Sequence, residues 1–179
     1  MLPMVTSERE VAAAAAGLAG TSVGLIPLIE TPAAMVRLHR IVGVPGVSEI
    51  YIGLNDLHLG LGLQFMFEIV ASGLLEQMAG VVRAAGLPFG FGGIATLGGG
   101  IVPAHLVLAE HVRLGSTRVI LARAFSQGAT SVADFMRADL PGEIQRLVDE
   151  TAALGKSDVA SKHRELQSCV QRHVESLPC

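Results

Sequence analysis

The sequence predicts an α/β fold in which parallel strands alternate with helices. Short apolar runs follow one another along the chain, and segments with helical hydrophobic periodicity separate them. Half of the residues are hydrophobic and only 16% are charged, a mix typical of strands that are buried on both faces. Because the connections are short, we expect right-handed crossovers between parallel strands, in an open sheet or in part of a barrel.

The elements can be placed in order along the chain. Ser7 with Glu10 forms a capping-box pattern, and Thr31 with Pro32 supplies an N-cap followed by a first-turn proline. Apolar runs predict five strands, over residues 1–5, 24–30, 49–56, 88–95 and 117–125. Helical spacing predicts helices over residues 8–18, 33–42, 65–85, 103–114 and 132–154, with a loop at residues 58–63.

The last part of the chain differs in character. We expect residues 1–155 to form a partial β/α domain and residues 156–179 to form a polar helical tail. The tail carries a narrow apolar stripe, which predicts a helix that packs along one seam or against another subunit; a plain exposed terminal helix is the alternative. The stripe consists of Val159, Leu166, Val170 and Leu177.

Charge and cysteine usage exclude several classes of protein. A formal net charge of −3, without a basic run, argues against nucleic-acid binding through phosphate neutralisation. Cys169 and Cys179 have no metal-binding spacing and suggest no disulfide framework, so the expected location is the cytoplasm. Residues 11–29 are uncharged, but their alanine and glycine content provides little insertion energy, and we expect no membrane span.

Two acidic residues each end an apolar strand. Glu30 follows one run and Asp56 the next, and the carboxyl ends of parallel strands converge on one face of the sheet. Two carboxylates in a partly dry crevice repel each other, and a hard cation such as Mg²⁺ or Mn²⁺ removes that conflict. The alternative is that Glu30 interacts with a helix dipole and Asp56 makes a turn.

The positions of the lysines in the sequence argue against a Schiff-base mechanism. The only lysines are Lys156 and Lys162, in the tail, so no strand offers the desolvated amine that a Schiff base requires. Any carbonyl chemistry in this chain is therefore expected to use a metal ion as a Lewis acid.

Three further features have weaker functional interpretations. His58 follows Asp56 closely and is a candidate acid or base, although surface histidines more often have no such role. Arg123 in the last predicted strand is a candidate substrate ligand, with an internal ion pair as the alternative. Residues 90–95 match a dinucleotide fingerprint with Glu110 at a suitable distance, but the later helix start at Pro103 favours a strand and a loop.

The segments LIPLIETPAA and IYIGLNDLHLGLG resemble the paired metal-binding motifs of the HpcH/HpaI aldolase and citrate lyase family. FGFGGIA, LAEHVRLGSTRVILARAF and the opening MLPMVTSERE are also similar to later strands and to the fourth strand of that family. The resemblance covers roughly Met1 to Gln127. It implies a (β/α)₈ barrel of TIM type that makes or breaks carbon–carbon bonds through a metal-stabilised pyruvate enolate, with an aldehyde as the second substrate.

By this resemblance, Glu30 and Asp56 are the metal ligands. Gly53, Leu54, Asn55 and Asp56 present backbone N–H groups to the carboxylate of a 2-keto acid. Family members carry about three strands before the segment that resembles Met1–Val5, so we expect an incomplete barrel of about five strands. Either the N-terminal half of such a barrel is missing from this sequence, or the protein is a natural half-barrel; we expect a homo-oligomer or a partner that supplies the missing strands. An acyl-CoA lyase resembling citrate lyase and a non-catalytic half-barrel for binding or assembly are the competing interpretations.

Overall fold

The structure is a computed structural model that describes residues 1–126, 129–137 and 139–178; Gln127 and Cys179, which enter the interpretation above, lie outside these ranges. The described residues form four β-strands and ten α-helices, with a short 3₁₀ helix at Arg123–Ser126. The strands are β1 (Leu28–Ile29), β2 (Ile50–Ile52), β3 (Phe89–Ile94) and β4 (Arg118–Leu121). The helices are α1 (Glu8–Gly17), α2 (Pro32–Val36), α3 (Leu38–Ile41), α4 (Leu54–Leu61), α5 (Glu68–Ala71), α6 (Leu74–Ala84), α7 (Ala104–Leu114), α8 (Val132–Arg137), α9 (Leu140–Ala153) and α10 (Lys156–Glu175).

The strands form one sheet in the order β1-β2-β3-β4. β1 pairs with β2 in parallel, with Leu28 opposite Tyr51, and β2 pairs with β3 in parallel, with Tyr51 opposite Gly90. The predicted α/β class and the parallel pairing are therefore confirmed. Four strands are found among the described residues, and closure of the sheet into a barrel stays a prediction.

The predicted strand over residues 1–5 is wrong. Leu2 forms a single parallel bridge with Pro27, and no strand continues from it. The reason lies at Met4, whose φ of 52° is incompatible with an extended strand. Met4 uses its N–H to bind a side chain instead of a neighbouring strand.

The predicted helix starts agree with the structure better than the predicted helix lengths do. The hydroxyl of Ser7 accepts from the N–H of Glu10, and the hydroxyl of Thr31 accepts from the N–H of Ala34, so both predicted N-caps are confirmed. Three predicted helices are interrupted, into α2 and α3, α5 and α6, and α8 and α9. Gly73 explains the second interruption because it adopts a left-handed conformation with φ of 81°.

The chain divides into two compact units. The first consists of Met1–Gly92 with Ser116–Arg118, and the second of Gly93–Gly115 with the chain from Val119 onward. In the first unit, both the strands and the helices supply fully buried side chains to the core. These include Ile29, Ile50, Ile52, Leu54, Leu57, Ile69, Leu75 and Phe89.

In the second unit, α10 packs along α7, and α9 packs on α7 as well. Val159, Leu166 and Val170 of the predicted stripe are all buried, so the apolar seam of the tail is filled from within this chain. A separate core cluster comprises Ile94, Ala104, Leu108, Phe125 and Leu147. The predicted domain boundary between residues 155 and 156 stays a prediction.

None of the helices in the described ranges combines the length and the apolar character that a membrane crossing requires. The uncharged segment at residues 11–29 contains most of α1, which ends at Gly17, and all of β1.

Candidate metal centre

Glu30 lies directly after β1, next to the point where β2 ends. The N–H of Gly53 donates to the carbonyl of Ile29 at 3.0 Å, which extends the pairing of the two strands by one residue. Glu30 is therefore the neighbour of Gly53, the N-cap of α4. Its side chain is largely buried, with 8% relative exposure, so water screens its charge only in part.

The carboxylate of Glu30 has a defined orientation. Oε1 accepts a hydrogen bond from the N–H of Met4 at 2.7 Å. Oε2 lies 2.8 Å from the position that a Cβ atom on Gly53 would occupy, and the Cβ of Glu30 is equally close to it. Glycine is thus required at position 53 by close approach, and the carboxylate faces the beginning of α4.

The beginning of α4 offers backbone donors. The first bond within this helix runs from the N–H of Leu57 to the carbonyl of Gly53 at 3.2 Å. The N–H groups of Leu54, Asn55 and Asp56 precede it and have no intrahelical acceptor, because the first turn of any helix leaves its donors unused by the helix. Such a helix start favours an anion, through its N–H groups and its dipole.

Asp56 is the third residue of α4 and is exposed. One helical turn, about 5 Å along the axis, separates it from Gly53, the residue that Glu30 touches. The structure therefore brings both acids to the same end of the neighbouring strands β1 and β2. Their roles as metal ligands stay a prediction.

The donor set at this end of the sheet suits a hard divalent cation. Mg²⁺ is commonly held by one or two carboxylates while it keeps several of its waters. No group of three or more histidine, cysteine, aspartate or glutamate side chains suitable for a metal ion occurs among the residues that the structure describes. A site built from Glu30 and Asp56 thus fits Mg²⁺ or Mn²⁺ and does not resemble a closed zinc site.

His58 lies within α4, where the sequence predicts a loop. It is buried at 9% exposure, and its Nδ1 lies 3.3 Å from the carbonyl oxygen of Leu54, one turn earlier. Residues two apart on a helix do not share a face, so His58 and Asp56 project in different directions. A catalytic role for His58 stays a prediction that this placement does not favour.

Arg123 lies in the 3₁₀ helix and not in the last strand, because β4 ends at Leu121. Its side chain is exposed and belongs to the second unit of the chain. Its role in substrate binding stays a prediction.

The dinucleotide interpretation fails on local geometry. β3 ends at Ile94 and the next helix, α7, begins only at Ala104, so no helix opens on the glycines of residues 90–95. Glu110 is fully buried, and its carboxylate binds Arg113 and His163 within the second unit. The strand-and-loop interpretation is confirmed.

His111, also on α7, is buried as well, and burial lowers the pKa of His111 to about 4.

Sequence reasoning missed the contribution of the first residues of the chain to this site. Besides the bond from Met4 to Glu30, the hydroxyl of Thr31 donates to the carbonyl of Val5 at 2.7 Å. Both contacts use backbone atoms of residues 4 and 5, and backbone atoms are the same in every residue. The pattern of side chains therefore carries no signal for them.

Replacement of Gly53 with alanine is expected to weaken both the fold and the site. The new Cβ would overlap the Cβ and Oε2 of Glu30, which must move; we expect a loss of about 2 kcal/mol in the free energy of unfolding. If Glu30 is a metal ligand, affinity for Mn²⁺, measured by calorimetry, should fall roughly tenfold because the carboxylate is displaced.

Gly80→Ala in α6 is the matched control, because a Cβ there meets nothing within 4 Å. It should raise stability by about 0.5–1 kcal/mol, as expected for alanine in place of glycine inside a helix, and leave Mn²⁺ affinity unchanged. Equal behaviour of the two variants would contradict the close approach of Glu30 to Gly53.

No protein-family model matches this chain, and no curated protein sequence matches it. Solved structures do. RipC from Yersinia pestis has a TM-score of 0.63 at 12% identity, covering 88% of this chain and 65% of that chain. CitE from Mycobacterium tuberculosis, in complex with magnesium and pyruvate, has a TM-score of 0.59 at 17% identity, over 93% of this chain and 63% of that one. An HpcH/HpaI aldolase/citrate lyase family protein from Burkholderia cenocepacia J2315 has a TM-score of 0.50 at 17% identity, over 82% and 62% of the two chains.

The fold and the site define a parallel α/β protein with one acidic residue directly after a strand and a second in the first turn of the helix that follows the adjacent strand. Identities this low show the fold alone. At that level the resemblance is confirmed: this chain has the fold of the HpcH/HpaI aldolase and citrate lyase structures. It spans slightly less than two thirds of the length of each solved chain, between 62% and 65%.

Proposed function

We propose that this protein is a metal-dependent carbon–carbon lyase that acts on 2-keto acids. The observation that carries the proposal is the position of Glu30, buried at the end of β1 against the N-cap of α4, with Asp56 in the first turn of that helix. The shared fold with CitE, whose structure holds magnesium and pyruvate, supports the choice of metal and substrate class.

Glu30 and Asp56 are the oxygen ligands in this proposal. When bound, Mg²⁺ or Mn²⁺ polarises the carbonyl of the keto acid and stabilises the negative charge that develops as the carbon–carbon bond breaks. The burial of Glu30 strengthens its attraction for a cation, because the local dielectric constant is lower than that of water. Asp56, which is exposed, leaves that side of the site open to substrate.

The start of α4 binds the carboxylate of the keto acid. The N–H groups of Leu54, Asn55 and Asp56 are available there as donors, and the helix dipole adds to their attraction for an anion. Gly53 permits close approach because it has no side chain. The same segment therefore supplies a metal ligand and the anion-binding groups, which fixes the substrate relative to the cation.

The positions of the lysines agree with a mechanism that uses a metal ion and not a Schiff base. Lys156 and Lys162 both lie in α10, which belongs to the second unit, and no lysine occurs in the first unit, which contains Glu30 and Asp56. The first unit itself therefore supplies no amine on which a Schiff base with the substrate could form.

The proposal predicts that calorimetry detects Mn²⁺ binding that requires both acids. Glu30→Gln and Asp56→Asn should each weaken Mn²⁺ binding at least roughly tenfold, or about 1.4 kcal/mol, because each variant removes one anionic ligand. Glu30→Gln should keep the fold, since its amide oxygen can still accept the N–H of Met4.

Asp149→Asn is the control, because Asp149 is a surface acid in α9 whose carboxylate contacts Gln145. Its Mn²⁺ affinity should equal that of the wild type. If Asp56 serves only to interact with the helix dipole, Asp56→Asn would lower stability by a few tenths of a kcal/mol and leave metal affinity intact. Unchanged affinity in both acid variants would contradict the metal centre.

An acyl-CoA lyase resembling citrate lyase is the second candidate, supported by the fold shared with a structure named for the aldolase/citrate lyase family. It would use the same acids for metal binding but act on a thioester. Turnover of free 2-keto acids compared with acyl-CoA thioesters, with the same metal, separates the two reactions.

A further inference from the structure

Met4 has an unusual backbone conformation beside the proposed metal ligand. Its φ of 52° is the only positive value at a non-glycine residue in the described parts of the chain. A left-handed conformation is unfavourable for residues other than glycine, asparagine and aspartate because the Cβ crowds the following carbonyl. The Met4 side chain is 56% exposed, so burial of that side chain does not account for the conformation.

The segment on either side of Met4 is anchored. Leu2 exchanges two backbone hydrogen bonds with the chain before and within β1, to the carbonyl of Ile26 at 2.8 Å and from the N–H of Leu28 at 2.9 Å. Val5 is buried, and its carbonyl accepts from the hydroxyl of Thr31 at 2.7 Å. With both ends held, the conformation of Met4 determines where its N–H points, and it points at Oε1 of Glu30.

We propose that Met4 is a positioning residue for the metal ligand, an inference that rests on the function proposed above. Its left-handed backbone directs the N–H to Oε1 of Glu30 and so fixes the plane of the carboxylate. Oε2 then faces Gly53 and the start of α4, where it serves as the single ligand atom from Glu30. A hydrogen bond to an ionised carboxylate is among the stronger kinds, which suits it to hold one orientation.

Backbone preference at position 4 provides the test. Met4→Gly and Met4→Asn tolerate the left-handed conformation and keep the N–H, whereas Met4→Val is strongly biased against it. In the full chain, Mn²⁺ affinity of the glycine and asparagine variants should lie within about twofold of the wild type, and that of the valine variant should be about tenfold weaker. The melting temperature of each variant is measured alongside.

The outcomes separate the inference from the proposed function. A valine variant that loses stability but keeps wild-type Mn²⁺ affinity would show a merely structural role and overturn the inference. If the wild type binds Mn²⁺ and Glu30→Gln does not, the metal centre stands whatever the Met4 series shows. Absence of Mn²⁺ binding by the wild type would overturn the metal role of Glu30 and the positioning role of Met4 together.

A second measurement covers the case in which Met4→Val does not fold. In wild-type protein, the amide resonance of Met4 should shift when Mg²⁺ is added, because Oε2 of its acceptor carboxylate then binds the ion while Oε1 keeps the hydrogen bond. The same addition to Glu30→Gln should leave that resonance in place. A Met4 amide that does not respond to Mg²⁺ in a wild type shown to bind the ion overturns the inference.

Discussion

Replacement of Glu110 with alanine is expected to lower the free energy of unfolding by about 3–5 kcal/mol, the cost of breaking a buried ion pair. Glu110 on α7 has no exposed surface. Its carboxylate accepts from Nε of Arg113 at 3.1 Å and from Nη2 of Arg113 at 3.0 Å, and Nδ1 of His163 lies 2.8 Å from Oε1. Because an ionised carboxylate can only accept, Nδ1 of His163 carries a proton in this pair.

The expected loss of free energy of unfolding is large because the alanine variant removes the carboxylate from two polar side chains that are mostly buried. The side chain of Arg113 is only 19% exposed and that of His163 20%, so water replaces the carboxylate poorly. The bond to His163 also links α10 to α7, and the variant should loosen the tail helix. Urea denaturation followed by circular dichroism measures the change.

Glu143→Ala provides a matched control. Glu143 pairs with Arg146 at the same three-residue spacing in α9, with Oε1 and Nη2 2.7 Å apart. Here the arginine side chain is 50% exposed and the glutamate 20%, and exposed pairs contribute little to stability. The midpoint of urea unfolding of Glu143→Ala should therefore stay close to that of the wild type. Similar losses in both variants would show that burial is not what makes Glu110 important.

The sequence predicts the order of elements in this fold because each depends on local chemistry. The caps at Ser7 and Thr31, the apolar strands and their parallel pairing all follow from short patterns. The predicted loop at residues 58–63 fails for a tertiary reason. Gly60 disfavours a helix by itself, but a Cβ there would lie 2.7 Å from Cδ of Pro32, so the glycine allows α4 to pack closely on α2.

In the candidate site as well, the features that follow from local sequence patterns were predicted, and the features that depend on tertiary contacts were not. Glu30 and Asp56 were predicted as neighbours because parallel strands end on one face, and the structure places both at that end of β1 and β2. The contact from Met4 to Glu30 joins residues 26 positions apart and uses a backbone donor, which no side-chain pattern marks. One of the two partners of Glu110, His163, lies 53 positions away in the polar tail, where sequence alone indicates only a solvated helix with one apolar seam.

Gly90→Ala in β3 is expected to destabilise the protein by about 3 kcal/mol, at the upper end of the cost of overpacking. A Cβ at this position would lie 2.5 Å from Cε2 of Tyr51, 2.7 Å from the carbonyl oxygen of Arg118 and 2.8 Å from its Cβ. The φ angle of Gly90 is not in the left-handed region, so alanine is permitted by the backbone and the whole effect is steric. Thermal or urea unfolding measures it.

Gly93→Ala, in the same strand, separates this steric effect from the general effect of alanine on a strand. Its nearest neighbours, the Cβ of Ala122 and the carbonyl of Ile120, both lie 3.7 Å away, an ordinary contact. The variant should change stability by no more than about 0.5 kcal/mol, because the new methyl group meets no closer atom. Truncation of Tyr51 in the Gly90→Ala background should not restore stability, because the carbonyl of Arg118 is a backbone atom that remains in the way. Full restoration by that second change would show that Tyr51 alone requires the glycine.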